Sequence, residues 1–486
     1  MAAVMFQGTG SDVGKSVLVA GVCRALANRG MRVRPFKPQN MSNNAAVAAD
    51  GGEIGRAQAL QAIACRVPAS VHMNPVLIKP QSDTGAQIVV RGVVRETADT
   101  SYFRLQKPAL LATVLDSFAR LSREADIVVV EGAGSPAETN LRAHDIANMG
   151  FARAARVPVV MIGDIDRGGV IASLVGTHAV LDAEDRSLIK GFVINKFRGD
   201  MKLFDSGLAE ITRRTSWPSL GVVPWLAAAR RLPAEDAVVL DPLQPQHGAL
   251  HIAVPILSRI ANFDDFDALV QEPRVRLQMI PPGSPLPSSA QVIILPGTKA
   301  TIADLKFLRS QGWDIDIAAH VRRGGRVVGI CGGFQMLGLT VTDSDGIEGR
   351  PEAIQGLGLL PVHTRLLNSK QVREVRGIDV SNGAPFEGYE IHVGHTHIAP
   401  GMSPWLRFEE GAVDGAMSAD GLIAGCYVHG LFNRAEFRAA WLRGFGVASD
   451  GIQQQARVEE ALEELARELG HALDIDGLLD AARNPV

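Results

Sequence analysis

The sequence predicts an α/β protein: an N-terminal doubly wound, mostly parallel sheet built on a phosphate loop, then a second α/β domain built around a nucleophile turn. Three observations predict it. Short apolar runs alternate with helix-length stretches, as they do where parallel strands are joined by crossover helices. One strand runs into Gly8-Thr-Gly-Ser-Asp-Val-Gly14-Lys15-Ser16, and a later one into Gly329-Ile-Cys331-Gly-Gly333. Between them lies Asp241-Pro-Leu-Gln-Pro-Gln-His-Gly248, which is polar, twice proline and without periodicity, as a linker is.

In chain order, residues 2–7 form an apolar strand, and a helix over 17–28 opens from the phosphate loop. Backbone N–H groups and the helix N-terminus cradle phosphate oxygens there, with Gly8 and Gly14 giving the loop its turns. Lys15 neutralises the phosphates and Ser16 offers its hydroxyl to Mg²⁺. The strict Walker spacing misses by one residue, since Thr9 stands where its first glycine belongs. Strand 32–36, helix 108–122, strands 127–130 and 157–162, helix 170–181 and strands 189–194 and 220–223 continue the alternation. Strand 127–130 delivers Glu131 to a C-terminal sheet edge, where open α/β sheets bind ligands, so Glu131 is a candidate Mg²⁺ ligand. Asp50, in Asp-Gly-Gly-Glu-Ile-Gly-Arg56, is a second candidate, with a plain turn carboxylate as the alternative. Asn195 ends another strand, either touching a nucleotide base or simply closing the strand.

The second domain is expected from His251 to about Gly446. Residues 327–330 read as a buried strand and 334–339 as the start of a helix, so Cys331 stands on a sharp strand-to-helix turn, the cysteine form of the nucleophile elbow. Glycine accepts the strained angles and close chain approach of such a turn. A free thiol of pKa near ~8.5 is only a few per cent ionised at neutral pH, and a helix N-terminus favours the thiolate. A base is offered by His429, at the end of the apolar run 424–428. The loop after strand 292–295 brings Gly297, whose N–H can complete an oxyanion hole with that of Gly332. These residues give domains at 1–240 and 251–446, a linker at 241–250, and a helical tail at 447–486. The tail's amphipathic stretch, 458–469, is expected to pack on the second domain.

With 486 residues and 46% apolar content, the chain has material for two or three cored domains. A net charge of −3 argues against a nucleic-acid backbone as partner. Cys23, Cys65, Cys331 and Cys426 lack the spacing of a metal site or disulfide framework, which points to a reducing compartment. No apolar run reaches transmembrane length, and the first strand leads directly into the phosphate loop without a leader. The expectation is a cytoplasmic enzyme with neither nucleic acid nor membrane as partner. His392-x-x-His395-x-His397 mimics a metal cluster, but on a strand only the last two share a face, and a pocket wall suits the run better.

Cys331, His429 and the Gly297 loop together resemble the class I glutamine amidotransferase domain, whose cysteine takes the γ-glutamyl group of L-glutamine and releases ammonia. That class places a glutamate two residues after the histidine; here Leu431 stands there, so a Cys331–His429 dyad is expected. The phosphate loop resembles that of dethiobiotin synthetase. An ATP site joined to a glutaminase implies an ATP-dependent amide synthetase. Phe36-Lys37-Pro-Gln-Asn40-Met-Ser-Asn43-Asn44, Asn74-Pro-Val-Leu-Ile-Lys79-Pro80, Glu131-Gly-Ala-Gly-Ser-Pro-Ala-Glu138, Asp166-Arg167-Gly-Gly169 and Gly388-Tyr-Glu-Ile-His392 are similar to the cobyric acid synthase family, in order along the chain. The resemblance implies amidation of carboxylates b, d, e and g of adenosylcobyrinic acid a,c-diamide, a corrinoid, with ATP and Mg²⁺. Lys37 and Lys79 would supply charge to that substrate, and Asn40, Asn43 and Asn44 hydrogen bonds. By analogy with dethiobiotin synthetase, Lys37 would stabilise an acyl phosphate. Arg167 is a substrate clamp or a loop salt bridge. Two alternatives stand beside this: cobyrinic acid a,c-diamide synthase, which shares the two-domain plan, and a MinD-type switch ATPase fused to a glutaminase. Whether the chain forms a homo-oligomer is left open.

Overall fold

The computed structural model of the protein describes residues 2–81, 85–234 and 249–484. The expected linker 241–250 lies outside the described residues except at its end, where Leu250 already opens a strand.

The first sheet has six parallel strands in the order Ser219–Pro224, Ile189–Phe197, Val159–Asp164, Ala2–Gly8, Ile127–Glu131, Val33–Phe36. Ala2–Gly8 lies near its middle and is buried along almost its whole length. A strand covered on both faces needs a continuous apolar run, which is why periodicity there is absent. Its side chains still alternate: Ala3 and Met5 enter one core with Val128, Val130 and Met161, while Val4 and Phe6 enter the other with Val129 and Ile162. Because all six strands are parallel, the phosphate loop, Glu131, Asp164 and Asn195 emerge at one edge.

Sequence periodicity did not foresee the small sheet of Gln39–Met41, Val76–Pro80, Gly85–Val90 and Val93–Asp99, whose first strand is short and partly polar. The second domain has its own six-stranded sheet, in the order Val275–Ile280, Leu250–Pro255, Val292–Leu295, Arg326–Ile330, Ile423–Cys426, Ala416–Met417, with only the last pairing antiparallel. Beside it a long hairpin pairs Val362–Asp379 with Pro385–Ile398.

The tail does not pack where expected. Its helices Gln454–Ala472 and Ile475–Arg483 lie on the first domain, where Val458, Leu462, Leu465 and Leu469 join the core of Val4 and Phe6. The reason is in helix Lys15–Asn28, whose Gly21 permits close approach: a Cβ there would lie 2.3 Å from a methyl of Leu469. Arg24 fixes the register, its guanidinium reaching Glu459 and Glu463 at 2.7 Å each. Among the described residues no helix is long and apolar enough to cross a membrane.

Candidate active sites

At the phosphate loop, four separated segments meet around one carboxylate. Glu131 is fully buried at the end of its strand. Its Oε1 accepts from the Ser16 hydroxyl at 2.7 Å and from the Lys37 ammonium at 2.9 Å, and its Oε2 from the Gln61 amide at 2.5 Å. Lys15 donates to the carbonyls of Gly10 and Gly134, at 3.0 and 3.3 Å. Ser16 and Glu131 are hard oxygen donors side by side, the donor set that suits Mg²⁺. Asn195 donates to the Val13 carbonyl at 2.8 Å, so it braces the loop. Arg167, largely exposed, lies 3.8 Å from Asp12 of the same loop.

Two expected contributors are engaged elsewhere. Asp50 accepts from the Ser70 hydroxyl at 2.6 Å and the Val71 N–H at 3.0 Å, pinning a turn as a short polar side chain does, rather than joining Ser16 and Glu131. Asn40 is 2% exposed and donates to Gln58 at 3.1 Å, as an internal strut does.

The second site is built on the turn between Arg326–Ile330 and Gly332–Leu337. Cys331 sits at φ 52°, ψ −109°, a conformation costly for any residue with a Cβ. Such strain persists where the surrounding fold fixes it, and here the Cys331 N–H is held by the Cys426 carbonyl at 2.8 Å. His429 stands close by: a Cβ on Gly297 would lie 2.7 Å from its Cε1, so only glycine leaves the ring room. Gly332 packs against Thr298, the residue after Gly297, which brings both predicted oxyanion glycines to the cysteine.

The dyad expectation is wrong. His429 Nδ1 lies 2.8 Å from the carboxylate of Asp265, whose other oxygen accepts from the Gly430 N–H at 2.6 Å. The orienting acid thus comes from the one-turn helix Phe263–Phe266, not from the position two residues after the histidine, where Leu431 is a buried core residue. Burial disfavours the imidazolium, but Asp265 and Cys331 outweigh it and raise His429 to about 10. The arrangement is a cysteine–histidine–aspartate triad, able to stabilise a thiolate–imidazolium pair and to return a proton to a leaving amine. Asp265→Asn is therefore expected to lower glutamine turnover by about 10²-fold or more, because the imidazole loses both tautomer and charge support. Steady-state glutamate release checks this; an unchanged kcat would return the site to a dyad. Only the paired aspartates between Phe263 and Phe266 could have flagged the residue in the sequence.

A cavity of about 40 Å³ opens at Cys331 and His429, and both domains wall it, Asn43 and Lys79 from the first, Thr298 and Gln335 from the second. Lys79 is not poised at the phosphate loop. It is 3% exposed and paired at 2.9 Å with Glu53, which also binds Lys370 of the second domain. Burial opposes the Glu53 charge, yet the two lysines hold its carboxyl down at about 2. Burial in turn brings Lys370 down to about 8. His392 is on the cavity wall, stacked on Tyr427 at 3.8 Å between ring centroids.

Family comparisons divide the chain in the same way. Residues 4–239 match the CobQ/CobB/MinD/ParA nucleotide binding domain, and residues 251–437 match the CobB/CobQ-like glutamine amidotransferase domain. Over almost the whole chain it is similar to proteins named cobyric acid synthase. The one from Caulobacter sp. (strain K31) is 62% identical over 480 residues, covering 98% of this chain and 99% of that protein. The one from Sphingopyxis alaskensis is 60% identical over 487 residues, covering 100% of each. A third, from Brucella suis, is 60% identical over 481 residues, covering 99% of each.

Proposed function

The chain belongs to the cobyric acid synthase family of glutamine-hydrolysing carbon–nitrogen ligases, and we propose that it amidates the b, d, e and g carboxylates of adenosylcobyrinic acid a,c-diamide through acyl phosphates. The observation that carries this reading is the pairing, in one chain, of a phosphate loop with a cysteine–histidine–aspartate triad whose cavity has a wall from each domain.

In this reading residues 251–446 supply nitrogen. The Cys331 thiolate attacks the glutamine side-chain carbonyl, and the N–H groups of Gly297 and Gly332 stabilise the oxyanion. The His429 imidazolium protonates the departing ammonia, and the imidazole then activates water to free glutamate from the thioester. Residues 1–240 activate the acceptor. Loop N–H groups and Lys15 hold the ATP phosphates, the corrinoid carboxylate takes the γ-phosphoryl group, and ammonia displaces phosphate from the acyl phosphate. Mg²⁺ held by Ser16 and Glu131 would neutralise phosphate charge. Lys37, already on Glu131, would stabilise the developing acyl phosphate, and Arg167 borders the same loop. For each amide, ATP, glutamine, water and one carboxylate give ADP, phosphate, glutamate and the amide. Cytoplasmic ATP and glutamine would feed the reaction.

Purified protein incubated with ATP, glutamine and candidate corrinoids tests the assignment by product mass. Four sequential carboxylate-to-amide changes on the a,c-diamide are expected. Conversion of cobyrinic acid to its a,c-diamide instead would replace this substrate with the earlier one.

A further inference from the structure

The Asp-Gly-Gly-Glu-Ile-Gly-Arg56 segment belongs to the ATP-binding half, yet its two charged side chains after the turn both reach into the other half. Glu53 binds Lys370, and the Arg56 guanidinium lies 3.0 Å from the Asp264 carboxylate and also contacts the Tyr389 hydroxyl. The backbone around it docks on the same loop. The Asn262 N–H donates to the Asn44 side chain at 2.6 Å, the Ala45 N–H donates to the Asn262 side chain at 2.9 Å, and Arg56 returns to the Ala45 carbonyl at 3.0 Å.

Both second-domain partners of Arg56 flank the catalytic histidine. Asp264 precedes Asp265, the acid on His429 Nδ1. Tyr389 stacks on the imidazole, with centroids 5.3 Å apart and planes 21° from parallel, and its backbone exchanges two hydrogen bonds with that of His429, at 3.0 and 2.8 Å. Three carboxylates, Asp264, Asp265 and Asp267, crowd within four residues of this loop, where mutual repulsion in a buried setting would drive protons on or push the loop apart. Burial, then Asp264, does raise the Asp267 carboxyl well above its ordinary range. A guanidinium keeps its charge in such a setting and presents several donors in a fixed plane, which is what simultaneous contact to a carboxylate, a phenol and a carbonyl requires.

We propose that Arg56 is a positioning residue for the glutaminase reaction: a side chain of the ATP-binding half that fixes the Asp264–Asp265 loop and the Tyr389 ring, and through them the orientation of His429 over Cys331. This rests on reading the second domain as a glutaminase. Glutamine hydrolysis then depends on how segment 44–56 is seated, so an event at the neighbouring synthetase half that shifts this segment changes the supply of ammonia.

The test uses the full chain carrying Arg56→Gln. Glutamate release should lose at least ~10-fold in kcat while KM for glutamine changes by no more than about twofold, since the residue acts on the imidazole and not on the substrate. Amidation driven by ammonium salts should stay within about twofold, and Arg56→Lys should recover part of the lost kcat by restoring the charge. Tyr389→Phe removes one contact while keeping the stacked ring, so it reports even where Arg56→Gln fails to fold, with a smaller kcat loss expected. Unchanged kcat in a folded Arg56→Gln or in Tyr389→Phe overturns the proposal, as does a rise in KM alone or an equal loss of the ammonium-driven rate. If wild-type protein releases no glutamate from glutamine, it is the glutaminase reading that fails, not the role of Arg56 within it.

Discussion

Cys331→Ser should abolish glutamine-dependent amidation, by ~10⁴-fold or more, and leave ammonium-driven amidation largely intact. A serine hydroxyl in the same turn is a far weaker nucleophile, because an alcohol gives up its proton to a histidine–aspartate pair such as His429–Asp265 far less readily than a thiol does. The acceptor side should be spared, because Cys331 belongs to the core of the second domain, whereas the strands bearing the phosphate loop pack into cores of their own. Parallel assays with glutamine and with ammonium salts read the split. Loss of both activities in a folded variant would mean that the two sites do not divide the work as described.

Lys15→Ala should fail with both nitrogen sources. Removing one ammonium contact to a transferring phosphoryl group costs on the order of 3 kcal/mol or more, a rate loss of ~10²-fold or greater. Lys15 is drawn inward to the Gly10 and Gly134 carbonyls, so it already stands over the loop a phosphate would occupy. A wild-type ammonium-driven rate in this variant would remove the phosphate loop from the chemistry. Glutamate release without acceptor, in contrast, should survive, since the triad does not touch Lys15.

Much of this was legible in the chain because some chemistry demands local sequence. A phosphate loop needs its glycines, Lys15 and Ser16 consecutively, and a nucleophile elbow needs Gly329, Cys331 and Gly333 between a strand and a helix, so both could be read directly. The central parallel strands were equally plain, since burial on both faces leaves an unbroken apolar run. What stayed hidden depends on long-range pairing. Asp265 reaches His429 across 164 positions, and nothing near the histidine requires it. Lys79 reads as a substrate cation until Glu53, itself buried by a fold of short polar strands, claims its charge. Asp50 illustrates the opposite error: a carboxylate in a glycine-rich run suggests a ligand, but it pins the local turn instead. The tail was misplaced because its apolar stripe is visible in sequence while the surface it covers is not.

That tail has a consequence for synthesis. Pro224 ends the last strand of the first sheet, but the helix that closes one of its faces begins at Gln454, about 230 residues later. At ordinary elongation rates the interval is roughly 10–50 s, during which Leu18, Val22 and their neighbours lack their lid while the second domain is being made. Folding in chain order is thereby denied to the first domain, which can finish only after the ribosome has delivered the other. A gene cut at the linker would yield an N-terminal product with an open apolar face. Separate expression of the two halves calls for the segment 454–483 to be spliced back onto the first.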